Sequence, residues 1–118
     1  MAELEIISNF HSNKAEVLAD IAKQDLWPSV YVSERMDELP LHWHSTFVCG
    51  YVLEGESYIL NEQGDHLPLK AGDKLVLPAG VVHAEGKVTS RMVYIVATEQ
   101  AANLLEALDI NLAEKDSA

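Results

Sequence analysis

Two histidines separated by a single residue, His42 and His44, are the positions of this chain best suited to bind a metal. They fall in a β-like run, HWHSTFV, in which alternate side chains point to the same face of a sheet, so Trp43 points to the other face. Two imidazoles on one side form half of a site for a first-row transition metal, and a third nitrogen completes a facial set. The candidate third ligand is His83, which begins another extended run after the turn Pro78-Ala79-Gly80.

The residues around these histidines are spaced in a way that resembles both sequence motifs of the cupin superfamily. His42-Trp43-His44 is followed eleven residues on by Gly55, as in the first motif. The spacing of the second motif is matched by Gly72, Pro78, Gly80 and His83. The resemblance covers about residues 40–86. It implies a small jelly roll, or double-stranded β-helix, that holds one divalent metal ion at the barrel mouth and often forms a homodimer.

The chain departs from these motifs at two positions. Where the first motif normally has a glutamate, seven residues before its glycine, this chain has Val48. Where the second normally ends in an asparagine, four residues after its histidine, it has Lys87. We therefore expect a site of three histidines without the usual carboxylate. Three neutral imidazoles leave a divalent ion its full double charge, which favours an anionic ligand.

Glu85 lies two residues beyond His83, and in an extended strand it faces the same side. It is a candidate fourth ligand or general base, the alternative being a solvated rim position after a bend at Gly86. The candidate substrate-binding residues are Val48, Tyr51 and Tyr94, although aromatic residues in a small barrel are more typical of core or interface.

The remaining residues that are able to bind metals give weaker indications. Cys49 differs in parity from His42 and His44, which places it on the opposite face of the sheet. His11 and His66 have no partner at ligand spacing and are interpreted as surface histidines.

Short β-rich runs between turn residues position the candidate site. They are SVYVSE, HWHSTFV, YVLEGESYIL, HLPL, DKLVLP and RMVYIVA. They predict an all-β domain, an antiparallel barrel or sandwich over about residues 29–97, which the resemblance narrows to the cupin jelly roll. One helix is expected on each side, over about residues 13–25, with Ser12 or Asn13 as its cap, and over about 99–109. We expect a single domain over residues 1–118.

Composition limits the classes of partner. The formal net charge of −11 repels phosphate backbones and anionic lipid surfaces, which argues against nucleic-acid and membrane binding. No apolar run approaches the ~20 residues that a membrane span needs, and no signal peptide is evident, so we expect a cytoplasmic protein. The single cysteine, Cys49, allows no internal disulfide.

Three functions follow from these features, in order of preference. The first is an enzyme that binds or transforms a small anionic or oxygen-rich molecule at the metal, such as a dioxygenase, isomerase or lyase. The second is a binding or sensing module without catalysis, and the third is a metal-free structural protein, for which Val48 is the best argument. Histidine nitrogens accept iron, zinc, nickel, manganese or copper, so the metal stays open. Apolar residues expected to face outward, such as Trp43, favour a homodimer.

Overall fold

A computed structural model of the protein describes residues 3–100 and 108–113. One helix, α1 (Lys14–Lys23), follows a first short strand in the described part of the chain. The strands are β1 (Glu5–Ile7), β2 (Trp27–Ser33), β3 (His42–Trp43), β4 (Val48–Glu54), β5 (Glu56–Leu60), β6 (His66–Lys70), β7 (Lys74–Leu77), β8 (Ala84–Glu85), β9 (Met92–Thr98) and β10 (Asn111–Leu112). Among the described residues, no helix is long and apolar enough to cross a membrane.

All strand pairs are antiparallel, and they form two layers. The first layer is a five-stranded sheet in the order β1-β7-β4-β9-β2. The second contains the sheets β6-β5-β8 and β10-β3, which a backbone bridge between His42 and His83 joins edge to edge. The protein is therefore an all-β sandwich, as the alternating runs of the sequence predict.

The core between the layers is built from the inward positions of both. Val48 and Val52 of β4 face this core, four residues apart, because side chains alternate along a strand. The other buried members are Ile59, Leu69, Leu75, Leu77, Val88, Met92 and Val96.

Helix α1 covers the outer face of the five-stranded sheet. Its Val17 and Ile21 are buried against Cys49 and Tyr51 of β4, in a second cluster that also contains Ile95 and Ala97. The helix begins at Asn13, whose Oδ1 accepts a hydrogen bond from the Glu16 amide at 3.0 Å. Polar contacts of Asp20 also fasten it, since the Asp20 carboxylate lies 2.7 Å from Lys74 Nζ and accepts a hydrogen bond from the Tyr51 hydroxyl.

Two short strands also occur outside the predicted window of about residues 29–97. β1 pairs with β7 before the helix, and β10 pairs with β3 near the end of the chain. Both strands are too short to show a period-2 pattern in the sequence. The predicted C-terminal helix over about 99–109 falls mostly on residues 101–107, which lie outside the described residues.

Candidate metal centre

Antiparallel pairing brings two of the predicted ligands together. His42 and His83 lie directly opposite each other, and each amide donates a hydrogen bond to the carbonyl of the other, at 2.8 and 2.9 Å. Side chains of directly opposed residues project from the same face of a sheet. The two imidazole rings consequently meet with their centroids 4.5 Å apart.

His44 and Glu85 complete the cluster, each two residues along the chain from one of these histidines. The His44 ring lies 5.2 Å from that of His42 and 5.0 Å from that of His83. Glu85, on β8, places one carboxylate oxygen 3.2 Å from His42 Nε2 and the other 3.8 Å from His83 Nε2. One potential ligand atom from each of the four residues lies within 4.8 Å of all the others.

Backbone carbonyls hold the imidazoles through their Nδ1 atoms. The contacts are His42 Nδ1 to Pro40 O at 2.8 Å, His44 Nδ1 to Asp109 O at 2.6 Å, and His83 Nδ1 to Val81 O at 3.0 Å. A carbonyl oxygen only accepts hydrogen bonds, so each Nδ1 carries the ring proton in the neutral state. Each Nε2 then keeps a lone pair, which is the arrangement of metal-binding histidines.

The donor set fits a divalent transition metal. The three histidines are only 2%, 6% and 0% exposed, for His42, His44 and His83 respectively. His83 Nε2 is buried without a hydrogen-bond partner, and so is Glu85 Oε2 while His42 is neutral, because the His42 proton is then on Nδ1 and the Nε2 that lies 3.2 Å from this oxygen has none to donate. Buried polar atoms without partners are rare in proteins, and a cation between these two atoms would satisfy both. Three imidazoles and one carboxylate suit iron, zinc, nickel, manganese or copper, and the geometry does not choose among them.

Burial and the Glu85 carboxylate act in opposite directions on the histidines. Burial lowers the pKa of His42, but Glu85 and the Pro40 carbonyl outweigh it, and the pKa lies above its usual value. For His83 burial prevails, and its pKa lies below the usual value. Burial raises the pKa of Glu85, but His42 and His83 lower it more, so the carboxylate stays ionised beside the imidazoles at neutral pH.

A cavity of about 190 Å³ adjoins the cluster, inside the sandwich. Val48 and Tyr94, two of the residues predicted to bind substrate, line this cavity. Tyr51 does not. It is fully buried on the helix side of the sheet, where its hydroxyl contacts Asp20, because its odd position in β4 turns it away from Val48 and Val52. The prediction that Tyr51 contacts a ligand in this cavity is therefore wrong.

The cysteine and the two other histidines lie apart from the cluster. Cys49 is buried on the helix side, as its parity indicates, with Sγ 3.8 Å from Gln24 Oε1. His66 is exposed and stacks on Tyr58, with ring centroids 4.2 Å apart. His11 is half-buried rather than exposed, so its interpretation as a surface histidine is wrong. The loop between β1 and α1 packs its ring near Tyr51.

Sequence reasoning missed the backbone partners of the imidazoles and part of the cavity wall. The carbonyls of Pro40, Val81 and Asp109 leave no mark in side-chain patterns, because every residue carries a carbonyl. Leu108 and Ile110 line the cavity from a segment that the sequence indicates as the end of a helix. Neither feature had a signal in the sequence.

Comparison with known proteins identifies a family and a fold. A family model for the cupin domain matches residues 32–98. The chain is 29% identical over 94 residues to a gentisate 1,2-dioxygenase from a Streptomyces species, a match that covers 80% of this chain and 24% of that enzyme. The chain thus spans about a quarter of the length of this curated relative.

Solved structures share the fold at low sequence identity. A DUF861 family protein from Thermotoga maritima aligns with a TM-score of 0.58 and 19% identity, over 79% of this chain and 96% of that one. The DMSP lyase DddQ of Ruegeria pomeroyi aligns with a TM-score of 0.56 and 23% identity, over 67% of this chain and 40% of that one. A third neighbour is an RmlC-like cupin family protein with a double-stranded β-helix fold from Methanocaldococcus jannaschii. It aligns with a TM-score of 0.53 and 19% identity, over 61% of this chain and 67% of that one. These neighbours confirm the predicted jelly roll.

Proposed function

This chain belongs to the cupin family, and from that premise we propose that it holds one divalent transition-metal ion on His42, His44 and His83, with Glu85 beside them. There it binds or transforms a small anionic or oxygen-rich molecule. The observation that carries the proposal is the orientation of the rings. All three Nδ1 atoms contact backbone carbonyls, which leaves three Nε2 atoms facing one point between two strands.

Different residues of the chain would have different roles in such a site. A bound ion would act there as a Lewis acid toward an oxygen ligand. The carbonyl contacts fix the ring orientations before any ligand arrives. Glu85 contributes one negative charge, and either ligates the metal or moves a proton at its carboxylate. The apolar side chains around the cavity, among them Val48, keep water from the reacting group.

The reaction class is the open part of this function. A relative named gentisate 1,2-dioxygenase supports oxidation of a small molecule as the first activity to assay. The lyase among the structural neighbours shares only the fold, and one fold carries many reactions. A binding module without turnover uses the same ion and cavity, so metal binding is tested first.

Metal content and affinity test the proposal directly. We expect the purified protein to bind about one divalent ion, and His83→Ala to weaken that binding by at least about a hundredfold, since two imidazoles hold an ion far less well than three. His44→Ala should have a comparable effect. Elemental analysis and calorimetric titration with Zn²⁺ or Ni²⁺ measure both quantities.

His66→Ala is the matched control, because it removes an exposed imidazole that stacks on Tyr58 away from the cluster. Circular dichroism of each metal-free variant verifies that the fold is intact. A protein that takes up no divalent ion, or that binds the ion equally well after His83→Ala, contradicts the metal site and every activity built on it.

A further inference from the structure

The cavity beside the cluster lacks basic side chains. Of the described residues that line it, none is a lysine or an arginine, and Glu85 is the one acidic group. Most of the wall is aliphatic, from Val48, Val52, Leu75, Leu77 and Val96 on one sheet to Ile59 and Leu69 on the other. A ligand in this cavity therefore meets a positive charge at the metal and nowhere else.

The charges of the site limit the charge of its ligand. Three neutral imidazoles leave a divalent ion its double charge, and the Glu85 carboxylate removes one unit. One monoanionic ligand makes the site neutral. A second anionic group on the same ligand would lie unpaired against aliphatic side chains, which costs several kcal/mol. The net charge of −11 on the chain disfavours it further.

Four residues of this largely apolar wall carry hydroxyl groups. Ser57 and Tyr58 donate theirs to the Lys87 carbonyl and the Glu38 carboxylate, Tyr31 is 39% exposed, and the fourth is Tyr94. Its ring lies at the cavity, 5.3 Å from that of Tyr31, and is packed against the core between the sheets. None of the described residues accepts a hydrogen bond from its hydroxyl, while burial and then the charge of Glu85 raise its pKa. The hydroxyl thus remains a donor that is available to a ligand oxygen. One such donor does not solvate a sugar or a polyol, which carry many hydroxyls.

We propose that the ligand of this site is a compact monocarboxylate with an apolar body, whose carboxylate meets the metal while the body fills the aliphatic cavity. This inference rests on the proposed metal site and narrows its ligand. It excludes dicarboxylates and phosphate esters, because no lysine or arginine lines the cavity, and sugars, because most of the wall is aliphatic and two of its four hydroxyls are already bonded within the protein.

Calorimetry on the Zn²⁺-loaded protein tests the ligand class with four probes: butanoate, benzoate, acetate and isophthalate. We expect butanoate or benzoate to bind at least about tenfold more tightly than acetate, since each buries an apolar body. Isophthalate has the ring of benzoate and a second carboxylate, and should bind at least about a hundredfold more weakly than benzoate. Affinity for isophthalate equal to that for benzoate, or no preference of butanoate or benzoate over acetate, overturns the proposal.

A substitution that adds the missing cation gives a second test. Leu39 lines the cavity and is 37% exposed, so an arginine there reaches the mouth without burying its charge. We expect Leu39→Arg to raise affinity for isophthalate by at least about tenfold. Leu18→Arg is the control, because Leu18 is 49% exposed on α1, away from the cavity. If the two variants bind isophthalate alike, the lack of a basic residue does not select the ligand.

The failure of this inference is distinct from failure of the metal site. Zn²⁺ binding is measured first on the metal-free protein and each variant. A protein that binds Zn²⁺ but shows no preference among the four probes keeps its metal centre and loses the proposed ligand class. A protein that binds no Zn²⁺ loses both.

Discussion

Among single residues, the carboxylate nearest the three histidines lies on a different strand from the one that the motif spacing indicates. Val48 stands at the motif position on β4 and lines the cavity, whereas Glu85 of β8 supplies the carboxylate near the histidines. A carboxylate thus lies beside the three predicted histidines, and an aliphatic side chain occupies the motif position. Whether Glu85 is a fourth ligand or a base stays a prediction.

Replacing Glu85 by glutamine separates its two candidate roles. If the carboxylate ligates the ion, Glu85→Gln should weaken metal binding by about 10- to 100-fold, because the side chain keeps its shape and loses its charge. Competition with a chromophoric chelator measures that affinity. Glu62→Gln, in the exposed hairpin between β5 and β6, serves as the control. Unchanged metal affinity rules out Glu85 as a ligand, and lost turnover with the metal retained then identifies it as the acid or base.

Asp73 illustrates a carboxylate that stabilises the fold instead of the site. It is 2% exposed, and its oxygens accept hydrogen bonds from the amides of Asn9 and Lys70, both at 3.0 Å. Burial raises the pKa of Asp73, but these bonds and the Lys70 ammonium outweigh it, so the pKa lies below its usual value. Folding therefore favours the ionised form. This stabilisation is complete above about pH 4 and is lost as the pH falls through the lower pKa of the folded state.

Asp73→Asn should lower the free energy of unfolding by about 1–3 kcal/mol at pH 7, because an amide replaces a buried acceptor of two amide hydrogen bonds. The difference between wild type and variant should shrink as the pH falls below about 4, because the wild-type carboxyl takes up a proton more readily in the unfolded chain than in the folded protein. Urea unfolding at pH 7 and at pH 3 measures it. The exposed Asp37→Asn is the control, and a difference that stays constant down to pH 3 contradicts the role assigned to the charge.

At the scale of elements, the glycine of the first motif has a steric role. Gly55 joins β4 to β5 with φ of 92°, and a Cβ there would lie 2.3 Å from the carbonyl oxygen of Arg91. Gly64, in the hairpin between β5 and β6, has a similar φ of 85° but nothing within 4 Å of its Cβ position. Replacing each glycine by alanine therefore distinguishes two costs. At Gly64 the alanine has only an unfavourable backbone conformation, whereas at Gly55 its Cβ also overlaps the Arg91 backbone.

We expect Gly64→Ala to lower the free energy of unfolding by about 1 kcal/mol, the cost of a left-handed backbone at a residue with a Cβ. Gly55→Ala should lower it by at least about 3 kcal/mol, because the Arg91 backbone must also move. Equilibrium unfolding in urea measures both. Equal losses at the two positions would mean that the overlap at Gly55 relaxes freely.

The longer strands and the histidine cluster can be predicted from the sequence, because both depend on the alternation of side chains within a single extended run. β2, β4 and β9 are long enough to show alternation, and the parity of His42, His44 and His83 holds within short extended runs. The same parity places Tyr51 beside Cys49 on the helix side, so its proposed contact with substrate was inconsistent with the placement of Cys49. β1, β8 and β10 have two or three residues each and exist through pairing with distant strands, which no local pattern reveals.

At the scale of the whole molecule, the two faces of the five-stranded sheet serve different purposes. The inner face, with Val48 and Val52, forms the cavity wall next to the metal centre. The outer face, with Cys49 and Tyr51, holds helix α1 through an apolar cluster and the contacts of Asp20. A substitution on the outer face is thus expected to change stability more than ligand affinity.

The predicted homodimer could form through β2, the edge strand of the five-stranded sheet. Trp27 and Val30 on β2 are 54% and 69% exposed, and among the described residues β2 pairs only with β9, which leaves its other edge open. An open apolar edge associates readily with a second strand, and pairing with the same strand of a second copy satisfies two-fold symmetry. Trp43 is half-buried beside β10 and contributes less than its sequence position indicates.

We expect a species of twice the chain mass of 13.0 kDa in sedimentation equilibrium at micromolar concentration. Val30→Lys should convert it to a monomer, because a charged side chain on an edge strand opposes strand pairing. Leu18→Lys, on the exposed side of α1, should leave the dimer intact. Zn²⁺ binding should survive Val30→Lys, since every residue of the centre comes from one chain. A wild-type protein that sediments as a monomer, or a dimer unaffected by Val30→Lys, rules out association through β2.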